Sequence, residues 1–224
     1  MKTVGLESVT LSGRPVIISD VDDVVLSFID PFQRFLEANA LRFLPRSFRL
    51  TGNIVRASNE EAIDELAVRK MLHDFFEAQA DWQLPFDDAP ATLELLAKDA
   101  DVIFLTAMPP GFLNQRRALL DTLGFHYPLV ATLEPKGLVA ARIMGASPSK
   151  SVFIDDMAHN VISVGDHLPD CLLIHMPPDS PVHAMAPKAD NGAVIARSWT
   201  EAKTHIIGHF GITETPPIQA ITNA

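Results

Sequence analysis

The chain has 224 residues, enough for one large domain or a domain with a small insert, and 47% of them are apolar, so a full core is available. Its 18 Lys and Arg against 28 Asp and Glu leave a formal charge of −10, which argues against a basic face for nucleic acid, so no nucleic-acid partner is expected. The single cysteine, Cys171, has no partner for an internal disulfide, the N-terminal residues lack the apolar stretch of a signal peptide, and no apolar run is long enough to span a bilayer; the expectation is a cytoplasmic protein with no membrane partner.

Apolar runs of strand length recur along the chain, at 15–19, 101–105, 128–131, 151–154 and 171–175, with a weaker one at 193–196. Most are continuous in Val, Ile, Leu and Phe rather than alternating, the pattern of strands covered on both faces. Amphipathic helices are predicted between them: 91–98 after Pro90, 113–123 ended by Gly124, 137–144 ended by Gly145, and a closing helix at 199–209. Strand–helix alternation of this kind predicts an α/β fold with a parallel sheet, right-handed crossovers and helices on both faces. The rhythm breaks between 28 and 85, where no convincing strand is predicted. Helices are expected there at 28–41 and 59–82, the second with Ser58 as its cap and Glu61 at capping-box spacing. This stretch is read as a mostly helical lid over the strand ends. The resulting division is a core of 1–27 and 84–212, a helical cap of 28–83, and a flexible Pro- and Thr-rich tail of 213–224.

Ligands of parallel sheets sit outside the carboxyl ends of the strands, and Asp20, Thr106 and Asp155 each fall at such an end. Asp20 and Asp22, delivered by Val16-Ile17-Ile18-Ser19, are too costly to bury without a partner, and they repel each other unless a cation or a proton intervenes. One carboxylate can attack phosphorus and the other can serve as acid and then base; the competing reading is a turn with two solvated aspartates. The Thr106 hydroxyl and the following Ala107 N–H can hold a phosphate oxygen, where an N-cap threonine is the alternative. Lys136 can neutralise the phosphoryl group and orient Asp20, or be a surface lysine. Asp155 and Asp156 suit Mg²⁺, or else cap a helix.

Taken together and in this order, the residues resemble the motifs of the haloacid dehalogenase (HAD) superfamily of phosphohydrolases: Asp20-Val21-Asp22-Asp23-Val24, then Thr106, then Lys136, then Asp155-Asp156 with Asn160 four residues on. The resemblance spans about 15–176, the insert excepted. It implies a Rossmann-like three-layer α/β/α core with a cap inserted after the first strand. It further implies Asp20 as nucleophile and Asp22 as general acid/base, with Thr106, Ala107 and Lys136 binding the phosphoryl group. Mg²⁺ would be held by Asp20, the backbone carbonyl of Asp22 and Asp155, with Asp156 as a further ligand or as the orienter of a bound water. The expected activity is hydrolysis of a small phosphorylated metabolite. A phosphotransferase or phosphomutase, or a silent phospho-ligand binding protein, are the alternatives. The presence of Asp22 argues against the dehalogenase branch. Asp23-Val24 departs from the usual Gly-Thr or Asp-Thr. Outside these motifs, Arg42, Arg46, Arg49 and Arg56 form a basic stretch read as a solvated face. His205 and His209 share a helix face without a third ligand, and Cys171 is read as buried and inert.

Overall fold

The computed structural model describes residues 2–212. Its strands are β1 (Thr3–Val4), β2 (Val16–Ser19), β3 (Leu41–Phe43), β4 (Ile54–Arg56), β5 (Asp101–Thr106), β6 (Leu129–Thr132), β7 (Ser151–Asp155), β8 (Leu172–His175) and β9 (Val194–Ile195). Its α-helices are α1 (Ile29–Ala38), α2 (Glu65–Glu77), α3 (Gln79–Trp82), α4 (Ala89–Leu96), α5 (Leu113–Thr122), α6 (Lys136–Met144), α7 (Ala158–His167) and α8 (Trp199–Phe210). Seven strands form one sheet in the order β1-β6-β5-β2-β7-β8-β9. All neighbours in it are parallel except β1, which runs antiparallel to β6 at one edge.

The continuous apolar runs are explained by burial on both faces. Successive side chains of a strand point to opposite sides. Ile17, Phe104 and Ile154 therefore join Leu93 of α4, Leu120 of α5 and Ile206 of α8 in one buried cluster. Ile18, Ile103 and Phe153 join Val139 of α6 and Val161 of α7 in another. Each such side chain contributes about 1.5–3 kcal/mol when fully buried, and the two clusters make the three-layer α/β/α arrangement. Trp199 at the start of α8 is 1% exposed, and its indole N–H donates to the carbonyl of Val24 at 2.8 Å, tying the helix to the loop that follows β2. Among the described residues no helix is long and apolar enough to cross a membrane.

Residues 28–83 carry a third apolar cluster. Phe32, Phe35 and Leu36 are buried on α1 and join Val68 and Phe75 of α2 in it. Phe28, Phe32, Phe35 and Phe75 contact one another with ring centroids 5.3–6.3 Å apart. The cluster runs without a break onto Met108 and Phe112 of the core. Two expectations for this segment need correction. First, it is not free of strands: β3 and β4 pair as an antiparallel hairpin. Each is three residues long, too short to show a period, and the loop between them is held by the Asn53 side-chain amide, which donates to the carbonyls of Ser47 and Arg49 at 2.8 and 2.7 Å. Second, the long helix starts at Glu65 and not near Asn59. Asp64 is its cap, accepting from the Ala67 N–H at 2.8 Å, while Ser58 lies in a turn. The strand that carries Asp20 is also the second in chain order, β1 having been missed because two residues leave no pattern. The tail at 213–224 lies outside the described residues.

The α6–α7 contact fixes the start of α6. A Cβ placed on Gly137 would stand 2.0 Å from the Ser163 carbonyl oxygen and 2.7 Å from a ring nitrogen of His167. The Gly137 N–H in turn donates to the Ser163 hydroxyl at 3.2 Å. Gly137→Ala is expected to destabilise the protein by about 1–3 kcal/mol through overpacking against backbone, read as a lowered midpoint in urea unfolding. A midpoint equal to that of the parent would show that the helices separate freely.

Candidate active site

The register of β2 with β5 and β7 pairs Ser19 with Phe104 and with Ile154, so Asp20, Thr106 and Asp155 reach the same end of the sheet. Lys136, the first residue of α6, comes in beside them. Its ammonium is 2.8 Å from Asp20 Oδ1 and 2.6 Å from Asp155 Oδ2, and its side chain is 1% exposed. Although burial disfavours its charge, Asp155 and Asp20 hold the Lys136 pKa above the ordinary lysine range. Asp20 Oδ1 also accepts from the Val21 N–H at 2.7 Å. Its Oδ2 has no hydrogen-bond partner among the described residues. Asp155 has both oxygens engaged: Oδ1 takes the Met157 N–H at 2.8 Å and the Asn160 amide at 3.0 Å, and Oδ2 takes Lys136.

Asp20, Asp155 and Asp156 each offer a carboxylate oxygen within 4.8 Å of the others, all three residues buried. Burial pushes the Asp20 carboxyl well above the ordinary range; Lys136 opposes this, and Asp155 and Asp156 add to it. Burial and then Asp155 and Asp23 do the same to Asp156. Three carboxylates around one ammonium carry surplus negative charge, and their oxygen-only donor set fits a hard dication such as Mg²⁺.

Asp22 is placed differently. Its Oδ1 accepts from the Arg116 guanidinium at 2.9 Å and from the Gln83 amide at 2.9 Å. Its carboxylate belongs to neither set of grouped ligand atoms among the described residues. Arg116 lies on α5 with its side chain 0% exposed. It also donates to Gln79 Oε1 at 2.5 Å and Gln83 Oε1 at 3.0 Å. Thr106 is 1% exposed, and its Oγ accepts from the Met108 N–H at 3.1 Å, which leaves the hydroxyl hydrogen free to donate.

Asp23 adopts φ 57°, a left-handed conformation that Asp tolerates better than most residues. Its carboxylate accepts from the N–H of Phe28 at 2.7 Å and of Ile29 at 3.2 Å, which anchors the start of α1. Burial raises its pKa to about 6. His183, in the loop after β8, reaches Asp156 Oδ2 at 3.1 Å and Asp23 Oδ2 at 3.7 Å. Its other ring nitrogen meets the Ser180 hydroxyl at 2.8 Å, and Phe48 of the β3–β4 loop packs edge-on against the ring. Asp23, Asp156 and His183 are a second group of ligand-type atoms within 4.8 Å of one another.

A cavity of about 610 Å³ opens over these groups, walled on the core side by Asp20, Asp22, Thr106 and Ala107 and on the cap side by α2. Every site residue read from the sequence therefore lies at one end of the sheet. Arg116, Gln83, Gln79 and His183 were not anticipated. In the sequence Arg116 is one of two adjacent arginines among polar neighbours, which reads as an exposed helix face, and His183 sits in a Pro-rich loop with no pattern. The basic stretch stays outside the cavity lining: Arg42 pairs with Glu60, and Arg56 stands 3.9 Å from Glu61.

No family model and no curated protein matches the chain in sequence. Solved structures match it in fold. A predicted phosphoglycolate phosphatase from Haemophilus somnus 129pt shares 10% identity at a TM-score of 0.57, over 88% of this chain and 100% of that one. A protein assigned as a beta-phosphoglucomutase from Thermotoga maritima shares 15% at a TM-score of 0.55, over 87% and 98%. A HAD family hydrolase from Deinococcus radiodurans R1, solved with phosphate and sodium bound, shares 14% at a TM-score of 0.54, over 89% and 98%. The chain has the fold of the haloacid dehalogenase-like hydrolases.

Two outcomes follow from this geometry. The folded pKa values of Asp20, Asp23 and Asp156 are raised, so the folded state holds protons that the unfolded chain releases. Without metal these groups favour folding below the ordinary aspartate pKa near 4, and that contribution is lost as pH rises through the folded values, about 6 for Asp23. Mg²⁺ competes with the protons on Asp20 and Asp156. At 100 times its Kd it should therefore add about 2.7 kcal/mol at pH 7.5, seen as a raised Tm, and the gain should shrink as pH falls; a Tm indifferent to Mg²⁺ at pH 7.5 would refute the metal assignment. Arg116→Met strips a mostly buried carboxylate of its counter-charge and should cost about 3–5 kcal/mol, measurable by denaturant unfolding at neutral pH. A loss below 1 kcal/mol would mean that Asp22 is adequately solvated without it.

Proposed function

We propose that the chain is a Mg²⁺-dependent phosphohydrolase of the HAD superfamily, cleaving a small phosphomonoester through an aspartyl-phosphate on Asp20. The observation that carries this reading is the single buried ammonium of Lys136 bridging Asp20 and Asp155 at the strand ends, with Asp20 Oδ2 left over. In the first half-reaction Asp20 Oδ2 forms a bond to phosphorus as the ester P–O bond breaks, and Asp22 gives a proton to the departing oxygen. In the second, Asp22 takes a proton from water, the water oxygen bonds to phosphorus, and the Asp20–phosphorus bond breaks to release phosphate. The Thr106 hydroxyl, the Ala107 N–H and Lys136 bind the phosphoryl oxygens throughout. Asp20, Asp155 and Asp156, with the Asp22 backbone carbonyl, would hold Mg²⁺, which supplies charge neutralisation for the approach of one anion to another.

Asp22 suits its part because only Oδ1 is anchored, by Arg116 and Gln83, and the carboxylate lines the cavity. The fold shared with phosphatases supports hydrolysis. The likeness to a protein assigned as a phosphomutase keeps transfer to an alcohol as the second reading. The two separate by product, since a mutase leaves little free phosphate. Asp20→Asn is expected to lower Mg²⁺-dependent phosphate release from an aryl phosphate by about 10³-fold or more, followed by a colorimetric phosphate assay. Parent-level activity in that variant would remove the nucleophile.

A further inference from the structure

The phosphoryl end of the cavity is polar, and the rest is not. Above Asp20 and Thr106 the wall is built by Phe28, Leu72 and Phe76 from the cap side and by Met108, Pro109 and Phe112 from the core side. Phe76, Met108 and Phe112 are 8%, 3% and 6% exposed, so they are fixed by the packing of the third apolar cluster rather than free to turn away. Phe76 and Phe112 stand with ring centroids 5.6 Å apart.

The polar side chains of this wall are few and already accounted for. On the cap side they are Arg69 and His73. The Arg69 side chain is 73% exposed and pairs with Glu65 at 2.5 Å, and that of His73 is 62% exposed with its ring against Phe112. Both therefore mark the mouth. On the core side, Asn160 gives its amide N–H groups to Asp155, and His159 is an exposed residue of α7. Among the described residues no serine, glutamine or tyrosine lines the cavity, and its one threonine, Thr106, belongs to the phosphoryl end. A polyhydroxylated leaving group would lose water on entering and find, beyond the Asn160 carbonyl oxygen and the exposed imidazoles of His73 and His159, no neutral hydroxyl or amide in exchange. An apolar one would be transferred from water onto aromatic and aliphatic carbon, which is favourable in proportion to the area covered. The volume, about 610 Å³, lies in the range of sites that enclose a whole small organic molecule.

We infer that the site takes phosphomonoesters whose leaving alcohol is apolar, an arylalkyl or branched alkyl alcohol, with Leu72, Phe76 and Phe112 as the specificity-determining wall; this rests on the phosphohydrolase reading of the same site. The test compares alcohols of similar leaving ability, so that chemistry cancels and contact with the wall remains. kcat/KM for phosphate release in Mg²⁺ is measured for benzyl phosphate and 2-phenylethyl phosphate against glycerol 3-phosphate and glucose 6-phosphate. Acetyl phosphate, which has almost no leaving group to recognise, is run alongside with and without Asp20→Asn. The benzyl and phenylethyl esters should exceed the two hydroxylated ones by about 100-fold or more, and Leu72→Gln, at a half-buried position that tolerates a polar side chain, should cut that ratio by about 10-fold.

Equal or inverted ratios, with acetyl phosphate hydrolysed by the parent and not by Asp20→Asn, overturn the apolar assignment and leave the phosphohydrolase reading standing. A 100-fold ratio unchanged by Leu72→Gln overturns the assignment of the wall. Failure to hydrolyse acetyl phosphate or any ester overturns both readings together.

Discussion

The site is organised around the buried ammonium of Lys136. Lys136 places its ammonium 2.8 Å from Asp20 and 2.6 Å from Asp155, with about a hundredth of its side chain exposed. An ammonium in that position is costly unless both partners are present, and each carboxylate is costly without the ammonium. The three groups come from β2, β7 and α6, so the charge cluster is satisfied only when the sheet is in register and α6 begins where it does. Gly137 makes that possible, because any side chain there would push α6 off α7 and carry Lys136 with it. The apolar strands supply the stability, and the ion cluster at their ends selects one arrangement of them.

A common device is visible in the two acids of the first loop. Asp20 and Asp22 both spend one oxygen on anchoring: Asp20 Oδ1 on Lys136 and the Val21 N–H, Asp22 Oδ1 on Arg116 and Gln83. Each keeps its other oxygen clear of the protein groups described. Anchoring through one oxygen fixes orientation without using up the reactive lone pairs, and holding groups in place before reaction is where much of the rate of phosphoryl transfer arises. Asp155, by contrast, has both oxygens occupied, which on the proposed reading suits a residue that holds other groups in place and does not itself react.

Sequence reasoning could read this site where chemistry and burial leave different marks. The runs at 16–19, 101–106 and 151–155 are continuous because both faces of each strand are covered, and the polar residue that ends each run stands out against that background. Arg116 leaves no such mark. Its partners are 33, 37 and 94 residues away, and its neighbours on α5 read as a solvent face. His183 is separated from Asp156 by 27 residues and lies among prolines with no periodicity. Asp23 reads in the sequence only as one more acid of the first motif, although it is buried, left-handed in φ and the anchor of α1. The β3–β4 hairpin is hidden for a different reason: three-residue strands carry too little pattern, and side-chain hydrogen bonds within the loop, from the Asn53 amide, do the work that a turn signal would have done.

The segment that carries the apolar wall leaves and rejoins the core beside the two aspartates. On the way out Asp23 holds the N–H groups of Phe28 and Ile29; on the way back Gln83 donates to both Asp22 and the Ser27 carbonyl. The two crossings are also stapled to each other, with the Ser27 N–H on the Leu84 carbonyl at 2.9 Å and the Phe86 N–H on the Val25 carbonyl at 3.0 Å. Phe28, whose ring lines the cavity, is the residue whose backbone Asp23 grips. The wall that would meet the leaving group and the carboxylate that would protonate it are therefore positioned by one short set of hydrogen bonds. A change that loosens the crossings must disturb Asp22 as well as the wall, so on the proposed reading leaving-group selectivity and acid/base chemistry would be mechanically the same property.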